Sequence, residues 1–263
     1  MQSFLSAPLI RQFRRYQPLL RELVARDLKV KYRRSFLGYL WSLLNPLLMM
    51  TVMTVVFSYM FRFSIPNYPL YLICGQTLWA FFSESTNMAM TSVIYNGPLI
   101  RKVYIPKYIF PMSRVLSCFV TMSFSLTAIL IVMLVTRVPL SVYLLLAPVP
   151  LALLLVFCTG VGMVLSALAV YFRDMLHLYS VITMAWMYLT PIFYPISALP
   201  AWVARIVRCN PLYYYVTFFR EVVLGGVMPQ AGLWLGCFGF GLLSVSVGLA
   251  VFRKLQRGFI LYL

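Results

Sequence analysis

Six apolar stretches, running approximately over residues 36–61, 70–95, 108–136, 142–171, 175–194 and 232–252, dictate what this chain can fold into. Each holds at least twenty residues, and a helix of that length rises about 30 Å, the thickness of a bilayer's hydrocarbon core. In lipid every backbone N–H and C=O has to be satisfied within the segment, so such stretches form helices rather than loops or open strands. The composition agrees: 62% of residues are hydrophobic and the mean hydropathy is +0.89, against about 45–50% apolar in globular proteins. The sequence therefore predicts an all-α integral membrane protein with six transmembrane helices.

Charge supplies the orientation. Only five acidic residues stand against 22 Lys and Arg, a formal net charge of +17. Six crossings put both termini on one side. The segments before residue 36, over 101–114, around Arg173 and after residue 252 then share that side and hold nine, four, one and three Lys or Arg. Arg62, Arg137, Arg205, Arg208 and Arg220 fall on the other. Seventeen of 22 on one side marks it as cytoplasmic by the positive-inside rule, giving a multi-pass protein with both termini cytoplasmic. A nucleic-acid binder would gather its basic groups on one folded face; here they are dispersed between spans, so nucleic acid is not a partner. Four of the five cysteines fall inside apolar spans, where Cys acts as a small hydrophobe, and no disulfide framework is implied. Some 35 largely polar residues precede the first span, which argues against a cleavable signal peptide.

Residues 1–35 form a cytoplasmic segment of their own. Leu20, Leu23, Val24 and Leu28 recur at helical spacing, while Arg21, Glu22, Arg26, Lys29 and Arg33 take the other faces. This is the pattern of an amphipathic interface helix, its leucines in the acyl boundary and its basic face toward anionic membrane lipid. Residues 36–263 make up the transmembrane domain. Its first span carries Asn45-Pro46, which predicts a kink. Ser42 and Asn45 beside that kink face either neighbouring helices or a water-filled path, because facing lipid is costly. Glu84 is the only carboxylate deep within a span, inside the polar run Ser83-Glu84-Ser85-Thr86-Asn87. It reads either as a pathway residue or as a hydrogen-bonded structural acid.

After the fifth span, Thr190-Pro191-Ile192-Phe193-Tyr194-Pro195 opens a segment broken by Pro200 and Asn210-Pro211. Residues 196–226 are too interrupted for a further straight crossing and rich in interface-seeking tyrosine. They predict short outer-face helices, re-entrant or interfacial, ending with Arg220-Glu221 in headgroups or water.

No catalytic machinery is legible. No G-x-x-x-x-G-K-[ST] phosphate loop occurs, so the chain does not bind ATP in that way and energy has to come from elsewhere. The single histidine, His177, and the dispersed acids offer no metal site. No pair of carboxylates shares a span or loop to hold the divalent cation of a lipid-phosphate transferase. No clear internal repeat suggests a secondary transporter.

The run Arg26-Asp27-Leu28-Lys29-Val30-Lys31-Tyr32-Arg33, followed by Leu37-Gly38-Tyr39-Leu40-Trp41-Ser42-Leu43-Leu44-Asn45-Pro46, resembles the permease subunit of ABC-2 type exporters of polysaccharide. The likeness continues through Asn96-Gly97-Pro98-Leu99-Ile100-Arg101-Lys102-Val103-Tyr104-Ile105-Pro106, Tyr171-Phe172-Arg173-Asp174, Pro191-Ile192-Phe193-Tyr194-Pro195 and Asn210-Pro211-Leu212, covering nearly the whole chain. These motifs are specific for the family but not for its cargo. The resemblance implies a homodimer in the bacterial inner (cell) membrane, working with two copies of a separate ATPase subunit that carries ATP and Mg, with no cofactor on this chain. The implied substrate is a lipid-linked polysaccharide of O-antigen, capsule or teichoic acid type. The loop over about 96–107 is the expected coupling element: Leu99, Ile100, Arg101, Lys102, Val103, Tyr104, Ile105 and Pro106 would meet the ATPase, together with Arg26, Asp27, Lys29 and Arg33 of the interface helix. The pathway candidates are Tyr39, Trp41, Ser42, Asn45, Tyr59, Glu84, Trp186, Tyr188 and Tyr194. Aromatic faces accept sugar C–H bonds while polar tips bind hydroxyls, and ordinary helix packing is the competing role for each of them. The rival readings are an ABC-2 permease for a drug or simple lipid, and a membrane-embedded glycan or lipid transferase.

Overall fold

The computed structural model describes residues 9–33, 37–61 and 65–262. Arg62 and the side chain of Tyr59, both named above, lie outside the described residues. Among the described residues every regular element is helical. Eleven helices are distinguished here: α1 (Leu9–Tyr32), α2 (Leu40–Phe61), α3 (Tyr68–Tyr95), α4 (Gly97–Lys102), α5 (Ile109–Val135), α6 (Pro148–Tyr171), α7 (Met175–Leu189), α8 (Ala201–Arg208), α9 (Pro211–Arg220), α10 (Ala231–Leu255) and α11 (Phe259–Tyr262).

The long helices run alternately between two ends of one bundle. At the basal end Lys107 donates to the Gln256 carbonyl at 2.6 Å and Tyr171 to the Leu255 carbonyl at 2.7 Å, tying the C-terminal turn to the α4–α5 loop and to α6. At the distal end Tyr71 donates to the Tyr194 carbonyl at 2.9 Å, and Ser141 to the Gly226 carbonyl at 3.1 Å.

Length and hydropathy single out four of these helices as candidate spans: Leu40–Phe57, Ile109–Val135, Val142–Tyr171 and Ala231–Tyr262. The other two of the six apolar stretches differ for identifiable reasons. α3 is 28 residues long, but Gln76, Thr77 and the 83–87 run lower its hydropathy. Burial against α2, α5 and α6 makes that tolerable. Several of its polar groups bond back to their own helix, Thr86 to Phe82 O at 2.7 Å, Asn87 to Ser83 O at 2.7 Å and Ser92 to Ala89 O at 2.6 Å. α7 has only 15 residues, because the chain leaves helical geometry at Thr190 (ψ 130°) ahead of Pro191.

Packing follows membrane rules rather than hydrophobic expulsion. A Cβ built on Gly160 of α6 would run into the backbone of Ser244 and Val245 in α10, and one on Gly248 into the backbone of Gly160. Small residues thus let these two helices touch main chain to main chain. α1 starts earlier than the 20–33 pattern indicated and passes through Pro18. Leu20 and Leu23 enter a basal core with Ile100, Phe110, Phe252 and Phe259, so this helix is packed against the bundle as well as being amphipathic. Gly38, at φ +48°, makes the left-handed step from α1 toward α2 that a Cβ would strain. α2 itself lies at the periphery, with Leu48, Val52 and Val55 exposed.

Residues 196–226 are helical in short pieces, α8, α9 and a π-turn over Glu221–Gly225 that closes at Gly226 (φ +55°). One expectation is overturned here. Arg220 is not in headgroups or water but buried, 8% exposed, against α3.

Candidate functional site

A cleft of about 700 Å³ opens between α2, α3 and α5, reaching toward Ile192 and Phe193 at the distal end. Its walls mix Trp41, Trp79 and methionines with Ser42, Asn45, Thr121 and Ser125. Two polar atoms on this wall, Gln76 Oε1 and Thr77 Oγ1, are buried without a hydrogen-bond partner. An unsatisfied buried acceptor or hydroxyl costs about 1–3 kcal/mol.

A second cleft, about 550 Å³, lies toward the basal end and is walled by Arg26, Asp27, Tyr95, Asn96, Arg114 and Ser117 among others. Lys31, Glu84, Cys118 and Thr121 line both clefts and mark their junction. There the Lys31 ammonium of α1 meets the Glu84 carboxylate of α3 at 2.5 Å. One turn earlier on α1, Asp27 pairs with Arg114 of α5 at 2.9 Å and with Arg26 at 3.3 Å, and accepts from Ser117 Oγ at 3.3 Å.

The two pairs differ in strength. The Asp27 and Arg114 side chains are 5% and 19% exposed, those of Lys31 and Glu84 38% and 39%. An exposed pair contributes about 0–1 kcal/mol, whereas stripping one partner from a buried pair costs about 3–5 kcal/mol. The ion pair at Asp27 therefore holds α1 more firmly than the one between Lys31 and Glu84.

At the distal end Arg220 of α9 replaces missing helix bonds. Its guanidinium donates to Pro191 O at 2.6 Å, to Ile192 O at 2.9 Å and to Tyr71 O from Nε at 3.1 Å and a terminal nitrogen at 2.9 Å, and it stacks 3.4 Å over the Tyr71 ring. Gly75 leaves the room, since a Cβ there would meet the guanidinium. Asn210 caps α9 through Leu212 N at 3.0 Å and binds Thr190 Oγ1 at 2.9 Å, while Trp186 Nε1 donates to Asn210 at 2.8 Å. Together these contacts hold the break after α7 against α3 and α9.

The residues named from sequence separate into groups. Trp41, Ser42, Asn45 and Glu84 share the distal cleft. Tyr39 is half exposed beside Phe124, with ring centroids 5.7 Å apart. Trp186 packs edge-on to Phe82 and serves the Asn210 network. Tyr188 is exposed, and Tyr194 donates to its carbonyl at 2.6 Å. Of the 99–106 loop, Ile100 is buried in the basal core and Leu99 and Ile105 pack against it, whereas Arg101, Lys102, Val103 and Tyr104 are exposed, Tyr104 at 83%. Pro106 is half-buried, Arg26, Lys29 and Arg33 are exposed, and Asp27 is buried.

Neither Lys31 nor Arg114 is among the site residues picked out from the sequence, and Arg220 enters that reading only as the charged end of the 196–226 segment. The i, i+4 spacing of Asp27 and Lys31 was a usable signal for one shared face of α1, and Arg220 was an ionisable residue in an otherwise apolar segment. Nothing in the sequence pairs Lys31 with Glu84. Among the described residues no cluster of three or more His, Cys, Asp or Glu could hold a metal.

The profile of the ABC-2 type transporter family matches residues 18–224. The O-antigen export system permease protein RfbA of Myxococcus xanthus is 32% identical over 85% of this chain and 86% of its own length. The capsule polysaccharide export inner-membrane protein CtrC of Neisseria meningitidis is 26% identical over 97% and 96%. The polysialic acid transport protein KpsM of Escherichia coli is 21% identical over 89% and 92%.

Proposed function

Because the chain belongs to the ABC-2 type transporter family, we propose that it is the membrane permease of an ATP-driven exporter that carries a lipid-linked polysaccharide from the cytoplasm across the bacterial inner membrane. The observation that carries this reading is the distal cleft, where the half-exposed Trp41 lies among Ser42, Asn45, Thr121 and Ser125, an aromatic and hydroxyl-bearing lining that suits a hydroxylated polymer. The relatives' names, O-antigen, capsule and polysialic acid, are all of polysaccharides.

The chain crosses the membrane six times, through α2, α3, α5, α6, α7 and α10. α3 crosses despite its polar run because Ser85 and Thr86 are buried in the bundle and Glu84 is paired with Lys31, and α7, about 22 Å long, is completed by the Thr190–Pro195 turn held by Arg220. The basal end, where the Lys and Arg concentrate, faces the cytoplasm. Two copies pair through exposed apolar faces such as that of α2, Leu48, Val52 and Val55, and the polymer passes between them. Two separate ATPase subunits hold ATP and Mg and dock on Arg101, Lys102, Val103 and Tyr104. Their stroke reaches the spans through the basal core, which joins α4 to α1 and to the C-terminal turn.

Replacing Arg101 and Lys102 with glutamate tests this assignment. Both side chains are exposed, so the fold should persist while association with the ATPase weakens about tenfold, the equivalent of about 1.4 kcal/mol, and export falls with it. Unchanged copurification and export would reject the loop as the contact.

A further inference from the structure

We propose that Lys31 and Glu84 form a latch that separates the two clefts at rest, and that it opens when α1 pivots about Asp27. The inference rests on the reading of the chain as a polymer permease and adds the pair that controls continuity of the path.

Three observations converge on it. The pair lies at the junction, since Lys31 and Glu84 are among the four residues shared by both cleft walls. It bridges elements with different duties, α1 joined to the basal core through Leu20 and Leu23, and α3 buried in the middle of the bundle. The two ion pairs that join α1 to α3 and α5 also differ in burial. Asp27 is sequestered between Arg114, Arg26 and Ser117, while Lys31, one turn further along the same face, holds Glu84 through side chains more than a third exposed. A displacement of α1 therefore parts the exposed pair before the buried one, because exposed charges are rehydrated at little cost and buried ones are not. Asp27 acts as the pivot and Lys31 as the end that swings. Withdrawal of Lys31 removes the bridge across the junction and joins the basal cleft, with Arg26, Arg114 and Asn96, to the distal one, with Trp41, Gln76 and Thr77.

Cys118 provides a reporter in place. It lines both clefts beside the pair and is 3% exposed; the exposed Cys209 is first replaced by serine to remove background. The full chain, with its ATPase and without cargo or ATP, is labelled with a membrane-impermeant maleimide. Lys31→Met and Glu84→Gln should each speed labelling of Cys118 about fivefold, the factor by which loss of one exposed ion pair shifts a two-state equilibrium. The charge swap, Lys31→Glu with Glu84→Lys, should return the rate to within about twofold of the parent, because the pair is re-formed with reversed sign.

Parent-like labelling in both single variants would overturn the latch, as would a swap that labels as fast as they do. Should a single variant fold poorly, Lys31→Arg and Glu84→Asp, which keep the charges, supply the second comparison and should label like the parent; fast labelling there would contradict the proposal. The assay contains no polysaccharide. A parent complex that labels as described but exports no polymer would sink the export reading and leave the latch standing.

Discussion

Arg220→Ala should strip the distal end of its fold and abolish export. The side chain makes four hydrogen bonds to the carbonyls of Tyr71, Pro191 and Ile192, with no carboxylate in the set. Its removal takes the side-chain donor from Ile192 O and leaves Pro191 O with only Tyr71 Oη at 3.4 Å, and an orphaned buried acceptor costs about 1–3 kcal/mol. The effect is large against total stabilities of about 5–15 kcal/mol. It should be read as a sharp fall in the monodisperse, folded fraction after extraction and as a lowered apparent Tm. Arg220→Lys keeps the charge but replaces a planar fork by a point donor, so it should fall between the parent and alanine. Gly75→Ala should move in the same direction, because the added methyl occupies the guanidinium's place. An alanine variant that melts with the parent would show that the Pro191 turn holds itself without the arginine.

Asp27→Ala should release α1 from the bundle. Arg114 would remain part-buried without its carboxylate, and Ser117 would lose an acceptor; breaking a buried pair by removing one partner costs about 3–5 kcal/mol. The leucines at 20 and 23 still hold the basal core together, so the loss should concentrate in coupling. ATP hydrolysis by the assembled complex should continue while export falls at least about tenfold. Asp27→Glu, which keeps the charge on a longer stem, should recover part of the export. Full export by Asp27→Ala would deny that α1 transmits force through this pair.

Periodicity and length made the helical class legible, because a bilayer leaves a long apolar run one economical structure. They overstated uniformity. The stretch at 70–95 packs against α2, α5 and α6, with Ser85, Thr86 and Asn87 bonded to its own backbone and Glu84 to Lys31, and the one at 175–194 is a 15-residue helix followed by a bonded turn. What composition could not reveal was the pairing of distant groups. Glu84 is conspicuous as an isolated acid, yet its partner Lys31 lies 53 positions away on the helix whose sequence suggests a membrane interface and contact with the ATPase. Charge usually seeks headgroups or water, the place the sequence suggests for Arg220; the Pro191 and Ile192 carbonyls freed at the break after α7, with the Tyr71 carbonyl of α3, make burial affordable instead. The motifs that carried the resemblance fall where the structure bends or makes contact. Leu37-Gly38 forms the turn into α2, Asn210-Pro211 caps α9, and residues 97–106 present the exposed Arg101 to Tyr104 edge.

Transport by the purified chain in sealed vesicles is the decisive measurement, made with and without the ATPase subunit and with a labelled lipid-linked polysaccharide presented on the side of α1. ATP-dependent movement of the glycan into the protected compartment when both subunits are present, and none from this chain alone, is the outcome required. Uphill glycan movement by this chain without the ATPase, or turnover of a nucleotide-sugar donor by it, would contradict the assignment.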